Sequence, residues 1–422
     1  MQFLSVYGIL NDINFKSESN KKERYFMIYT TFKDLKLSSL GMGCMRLPAT
    51  EGGYGAPIDE AKAIELIEHA YSSGINYFDT SWFYHGGDSE RFIGEALKKF
   101  PRDTWYLNSK MPGNMIRLID GKYQLSGSNK DNLTFDNPLD IFNYQANRCG
   151  VDYFDFYMLH NVSESTYAVY TDEDFGIIEC LVKLKTEGRI RHLGFSAHGR
   201  AETIDKFLND TNERYGKVFE FAMIQLNYMD WELQKACDKY DVLKKHNIAI
   251  MAMEPLRGGR LAQLDEKADA IMKAARPDDT QAKWAFRYLQ SLKDITVVVS
   301  GMSSMVQLEE NLIIFSQSNP TTDQENVVLQ KVLENMVDLI PCTDCQYCME
   351  VCPQQLNIPM LLTMYNESEF AMGWFLQAAL RTLKDEEKPT ACTSCGNCNP
   401  LCPQDIDIPQ VLKKFGDLYA AI

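Results

Sequence analysis

Two sets of residues in this 422-residue chain have the types and spacing to do chemistry. The first is cysteine. Of twelve cysteines, eight fall in two runs, Cys342-x2-Cys345-x2-Cys348-x3-Cys352-Pro353 and Cys392-x2-Cys395-x2-Cys398-x3-Cys402-Pro403. Three thiols at this interval, then a fourth followed by proline, are the pattern that holds a 4Fe-4S cluster. Zinc sites usually pair two CxxC knuckles, and disulfides are disfavoured in a reducing compartment. The runs therefore specify two 4Fe-4S clusters. In two-cluster proteins the fourth cysteine of each run serves the other cluster. Cys352 would then join Cys392, Cys395 and Cys398, and Cys402 would join Cys342, Cys345 and Cys348. The second set is the stretch Asn76-Tyr77-Phe78-Asp79-Thr80-Ser81-Trp82-Phe83-Tyr84, a mostly apolar run ending in a carboxylate with a tyrosine beyond it. It reads as a buried strand that delivers chemistry at its C-terminal end.

Such a strand needs a sheet around it. From Lys33 onward, short apolar runs alternate with segments of helical period, the signature of repeated βα units and a parallel sheet. The runs are Leu40–Cys44, Asn76–Asp79, Trp105–Lys110, Asp155–His160, Ile190–Ser196, Phe221–Gln225, Ile248–Met253 and Ile295–Gly301. Helices are expected between them, among them Asp59–Tyr71 and Ser89–Phe100, the latter with Ser89 as N-cap. Eight runs predict an α/β fold, a (β/α)8 TIM barrel over residues 29–325, near the ~250-residue norm. In such barrels the active site lies at the C-terminal strand ends. Asp79, Lys110, His160, Ser196 and Gln225 end their runs and would surround one mouth. Trp82, His85, the segment 161–174 and a long loop over 113–137 would shape the pocket.

Residues 326–422 are expected to form a small α-helical, ferredoxin-like iron–sulfur domain, opened by a helix over 323–339, with further helices between the cysteine runs. The other four cysteines, Cys44, Cys149, Cys180 and Cys237, are expected in the core. Residues 1–28 read as an N-terminal extension, with Met27 as the natural start. The balance of 43 basic against 58 acidic residues, a net charge of -15, argues against nucleic acid as a partner. No apolar run approaches the ~20 residues of a membrane helix, and no signal-peptide pattern opens the chain, so the expected location is cytoplasmic.

On these residues the barrel resembles an aldo-keto reductase. The resemblance covers nearly all of Lys33 to Phe315, and the family's catalytic tetrad matches Asp79, Tyr84, Lys110 and His160. Hydride added to a carbonyl carbon leaves negative charge on the oxygen, so a proton donor must stand beside it. A tyrosine is a reluctant donor that an adjacent ammonium, itself held by a carboxylate, can tune. The resemblance makes Tyr84 the donor, Lys110 the tuning cation and Asp79 its anchor, with His160 hydrogen-bonding the carbonyl oxygen. It also implies that Ser196 and Gln225 hold a nicotinamide carboxamide and that Pro255-Leu256 lies along the pyrophosphate. Gly301 and Ser303 open a last cofactor segment, in which Gln307, Glu310 and Asn311 would face the adenosine, at a helix N-terminus suited to phosphate.

Four positions depart from the family pattern. Met253 stands where an aromatic ring usually stacks on the nicotinamide, Ala197 where an asparagine usually follows the serine, and Gly301 and Gln307 where many members carry basic residues for a 2′-phosphate. NAD versus NADP stays open. With the cysteine runs, the chain resembles the aldo-keto reductases that carry a C-terminal ferredoxin-like domain. The implied cofactors are NAD(P)(H) and two 4Fe-4S clusters, and the implied substrate a small carbonyl or alcohol. Nicotinamide moves electrons in pairs and each cluster moves one. Either a separate one-electron donor or acceptor protein docks on the domain, or the clusters are structural, or the barrel hosts a flavin. The rival expectation is an electron-transfer or docking protein with a non-catalytic barrel.

Overall fold

The computed structural model describes residues 26–50, 57–125, 133–164, 166–336, 340, 342, 347–370, 380, 383–402 and 404–420. Nearly all of the expected N-terminal extension, and Cys345, lie outside the described residues. The chain divides into two compact units. One comprises the chain up to Gln225 with Lys235–Met253 and Asp294–Asn319; the other comprises Leu226–Gln234, Glu254–Lys293 and Pro320 onward. The boundary expected at 325/326 falls inside the helix Asp323–Met336.

The first unit opens with an antiparallel hairpin, β1 (Tyr29–Phe32) and β2 (Leu35–Ser38). The parallel barrel follows, from β3 (Leu40–Gly43), β4 (Tyr77–Asp79) and β5 (Tyr106–Met111). A three-stranded antiparallel sheet, β6 (Ile116–Ile119), β7 (Lys122–Leu125) and β8 (Leu133–Phe135), interrupts it. The barrel is completed by β9 (Phe154–Val162), β10 (Ile190–Ala197), β11 (Phe221–Gln225), β12 (Ala249–Met253) and β13 (Ile295–Gly301). It closes where β13 pairs with β3. All eight expected strands are present, because fully buried parallel strands read as near-continuous apolar runs.

The hairpin was not expected. Phe32 and Leu37 are buried with Tyr77, Phe156, Phe221 and Val297, residues near the N-terminal strand ends, so β1 and β2 plug the end opposite the mouth formed by the C-terminal strand ends. The segment expected as a long loop is the sheet β6–β8. Its Phe135 packs 6.1 Å from the Trp82 ring, and the hydroxyl of Tyr123 donates to the Phe175 carbonyl. The first helix runs Glu60–Ser72 with Asp59 as its N-cap. In the second, Ser89–Leu97, the expected cap fails: Ser89 is buried and bonded to Thr80 Oγ at 2.8 Å, and Asp88 takes the N-cap position. Cys44 and Cys149 are buried as expected, but Cys180 and Cys237 lie on half-exposed helix faces and are not core residues.

Among the described residues the second unit holds two apolar cores. One gathers Met229, Leu261, Met272, Trp284, Leu329 and Val332. The other belongs to the cysteine-rich region and gathers Leu356, Ile358, Leu361, Ile406, Ile408, Leu412 and Phe415. Here the sequence repeats beyond the cysteines, Cys352-Pro-Gln-Gln-Leu-Asn-Ile-Pro against Cys402-Pro-Gln-Asp-Ile-Asp-Ile-Pro. Gln355 and Asp405 take matching left-handed turns, with φ of 53° and 51°. Each turn leads into a 13-residue helix, Ile358–Phe370 and Ile408–Ala420. The first of these satisfies the expectation of helix between the runs.

Candidate active site and cysteine centre

Strand register sets the geometry at the barrel mouth. Asp79 pairs with Asn108, and Lys110, two residues further on, projects to the same face because side chains alternate along a strand. The buried Lys110 ammonium lies 2.8 Å from both Asp79 oxygens, 2.7 Å from the Thr80 carbonyl and 3.2 Å from the Tyr84 hydroxyl. Asn108 donates to Asp79 Oδ1 at 2.6 Å, a contact that the i, i+2 spacing from Lys110 could have suggested. Tyr84 is brought in by a tight turn in which His85 and Gly86 have φ of 53° and 63°. Burial lowers the Lys110 pKa, and the Asp79 charge and hydrogen bonds oppose that fall.

Behind Lys110 lies a buried network that sequence reasoning missed. Glu90 Oε1 accepts from Ser109 Oγ at 2.7 Å and from Gln145 Nε2 at 2.6 Å. Gln145 Nε2 also reaches the Lys110 carbonyl at 3.0 Å, and Tyr157 donates to Gln145 Oε1. These residues sit on separate helices and strands and carry no motif. They fix the backbone that carries the ammonium, and burial raises the Glu90 pKa.

His160 closes the group. Its ring stacks on Phe83 at 4.9 Å and stands nearly perpendicular to Tyr84 at 6.5 Å. Burial, aided by the charges of Lys110 and His198, holds its pKa well below the usual range, so the imidazole is neutral near pH 7. The Tyr170 hydroxyl donates to the His160 carbonyl at 2.6 Å and accepts the Gly113 N–H at 3.1 Å. A side chain at 113 would place its Cβ 2.3 Å from the Tyr170 ring, so only glycine fits. All four expected tetrad residues thus converge.

The expected cofactor residues are less tightly grouped. Ser196 is buried near the end of β10, and its Oγ accepts the Asn161 N–H at 2.8 Å. Gln225 ends β11, and Pro255-Leu256 follows β12. In the last segment Gly301, Ser303 and Gln307 are exposed and Glu310 is half-buried. Gln307 Oε1 accepts the Ser303 N–H at 2.7 Å, whereas Asn311 is buried and donates to Ser300 Oγ at 3.3 Å.

In the cysteine-rich region one cavity is lined by Cys352, Cys392, Cys395 and Cys398, with Leu356, Ile358 and Leu412. This is the cross-run grouping that the two-cluster pattern implies. Among the described residues no three Cys, His, Asp or Glu side chains converge closely enough for a single metal ion. Four thiols around one cavity match the number of ligands that a 4Fe-4S cluster takes. Of the other set, Cys348 is buried and Cys342 and Cys402 are half-buried.

A closed parallel barrel with this constellation at its mouth defines a class, and comparison with known proteins agrees. The chain belongs to the aldo/keto reductase family, whose model matches residues 39–334. A model described as a 4Fe-4S dicluster domain matches residues 341–406, so the protein is an aldo-keto reductase-type oxidoreductase with a C-terminal 4Fe-4S domain. The oxidoreductase YqkF of Bacillus subtilis is 25% identical over 327 residues, 70% of this chain and 93% of that protein. The NADH-specific methylglyoxal reductase of Escherichia coli is 28% identical over 236 residues, 54% of this chain and 66% of the relative. Among solved structures, the holo form of an aldo-keto reductase from Bacillus halodurans shares the fold with a TM-score of 0.56 and 24% identity, covering 73% of this chain and 96% of that one. Among the described residues no helix is long and apolar enough to cross a membrane.

Proposed function

We propose that the barrel reduces a small carbonyl compound, or oxidises the matching alcohol, with NAD(P)H, and that residues 326–422 carry two 4Fe-4S clusters serving a one-electron partner protein. The observation that carries the reading is the Lys110 ammonium, buried between the Asp79 carboxylate and the Tyr84 hydroxyl. Bound NAD(P)H would supply the hydride, and the clusters single electrons. Tyr84 gives its proton to the substrate oxygen as charge develops there. Lys110 stabilises the phenolate that remains, and Asp79 holds the ammonium in place. His160, neutral and fixed by stacking, donates a hydrogen bond to the same oxygen.

Support for the nicotinamide comes from Asn161. Its Oδ1 is buried with no hydrogen-bond partner among the described residues, in a residue whose N–H bonds Ser196, and a carboxamide N–H would satisfy it. The relative in Escherichia coli makes methylglyoxal the first substrate to assay. In the test, purified protein is titrated with NADH and NADPH and assayed for carbonyl reduction. Tyr84→Phe should lower turnover by roughly 10²- to 10⁴-fold with cofactor affinity little changed. Absence of binding at millimolar NADH and NADPH would favour the docking-protein alternative.

A further inference from the structure

His160 is held from three directions. Tyr170 bonds its carbonyl, Phe83 stacks on its ring face, and Ser81 Oγ lies 3.2 Å from its Nδ1. Ser81 and His160 are both buried. Ser81 stands two residues beyond Asp79, so one short exit from β4 carries the anchor of Lys110, the hydroxyl facing His160, the ring stacked on it, and Tyr84.

A neutral imidazole has one N–H, and the bond made by one nitrogen decides which carries it. The serine hydroxyl can donate to Nδ1 or accept from it, with opposite consequences at Nε2. If Ser81 accepted, its own hydroxyl proton would be buried without an acceptor, since Oγ makes no other hydrogen bond among the described residues. A buried donor left unmade is costly, so the arrangement in which Ser81 donates is favoured.

We propose that Ser81 is a positioning residue whose hydroxyl donates to His160 Nδ1, so that the imidazole keeps its proton on Nε2 and presents that N–H to the substrate carbonyl oxygen. The last step rests on the reductase reading above; the tautomer does not.

The test is nitrogen NMR of the full chain labelled in its histidines, of which there are six, with His160→Ala to assign the signal. Wild-type protein should show His160 protonated on Nε2. Ser81→Ala should give a mixture of tautomers and lower kcat about tenfold, the scale of one lost orienting hydrogen bond, with KM little changed. Ser81→Thr, which keeps the hydroxyl, should restore both readouts. A proton on Nδ1 in wild-type protein overturns the proposal, as does Ser81→Ala with tautomer and kcat unaltered. If Ser81→Ala does not fold, the wild-type and Ser81→Thr spectra decide. Wild-type protein that binds NAD(P)H and reduces no carbonyl overturns the reductase reading, and the spectra then judge the tautomer alone.

Discussion

The barrel mouth and the cysteine cavity solve the problem of burying reactive groups in opposite ways. At the mouth the buried ion pair is answered by the protein: Lys110 has Asp79, a backbone carbonyl and Tyr84 within 3.2 Å, and Asp79 also takes Asn108. The site is preorganised before any ligand arrives, as electrostatic catalysis requires. Among the described residues no charged residue lines the cysteine cavity; its wall is four thiols, apolar side chains and a few uncharged polar residues. That cavity is completed by the group it would hold, so metal-binding energy there becomes folding energy. One region should fold without its cofactor, and the other should depend on it.

The largest expected effect sharpens this contrast. Anaerobic reconstitution should load about eight irons and eight labile sulfides, from two four-iron sites. Iron-free protein should lose helix and proteolytic resistance in the last eighty or so residues, read by circular dichroism and limited digestion, while the barrel stays intact. Cys395→Ser should deplete the cluster shared by Cys352, Cys392 and Cys398 and spare the other. Stoichiometric zinc without labile sulfide would overturn the cluster assignment, and equal survival of both regions without iron would break the comparison.

A smaller effect is expected from the barrel's own packing. Gly94 lies in the helix Ser89–Leu97 where it crosses the end of Pro138–Cys149, and a Cβ there would sit 2.3 Å from the Cys149 carbonyl oxygen. The clash is with backbone, which cannot rotate away. Gly94→Ala should destabilise the barrel by about 1–3 kcal/mol or more, as overpacking does, with the cluster absorption unchanged. Thermal unfolding followed separately at the cluster band and in the far ultraviolet checks it; coincident shifts in both would mean that the two regions unfold together.

What could be read from the sequence follows the same divide. The cysteine runs are local, so their spacing is legible at once, and Cys352, Cys392, Cys395 and Cys398, the set that the two-cluster pattern implies, line one cavity. The eight strands were legible because buried parallel strands are apolar throughout, and Asp79, Lys110 and His160 because each breaks such a run near its end. Ser81, Glu90, Gln145 and Tyr170 were not legible as site residues. Each is a common polar residue whose role depends on a partner tens of residues away, as Gln145 depends on Glu90. The sheet β6–β8 was not legible because its strands are only four, four and three residues long and lie among glycines and polar residues. Ser89 misled for a related reason: its hydroxyl suits a cap, but burial against Thr80 gave it another use.

The smallest expected effect concerns pH and the preorganised half of the comparison. Burial first, then Lys110 and His198, depress the folded-state pKa of His160. The unfolded chain, with a histidine pKa near ~6.5, takes up this proton at a higher pH than the folded chain does. The contribution is therefore fully present above that value and is lost as pH falls below it, down to the depressed folded pKa. Unfolding midpoints measured between pH 8 and pH 5 should drop on the acid side, and His160→Asn, which cannot be protonated, should flatten part of that slope. A variant as acid-sensitive as wild type would mean that His160 takes up its proton in the folded chain at the ordinary pH, and that the mouth is wetter and less preorganised than its hydrogen bonds imply.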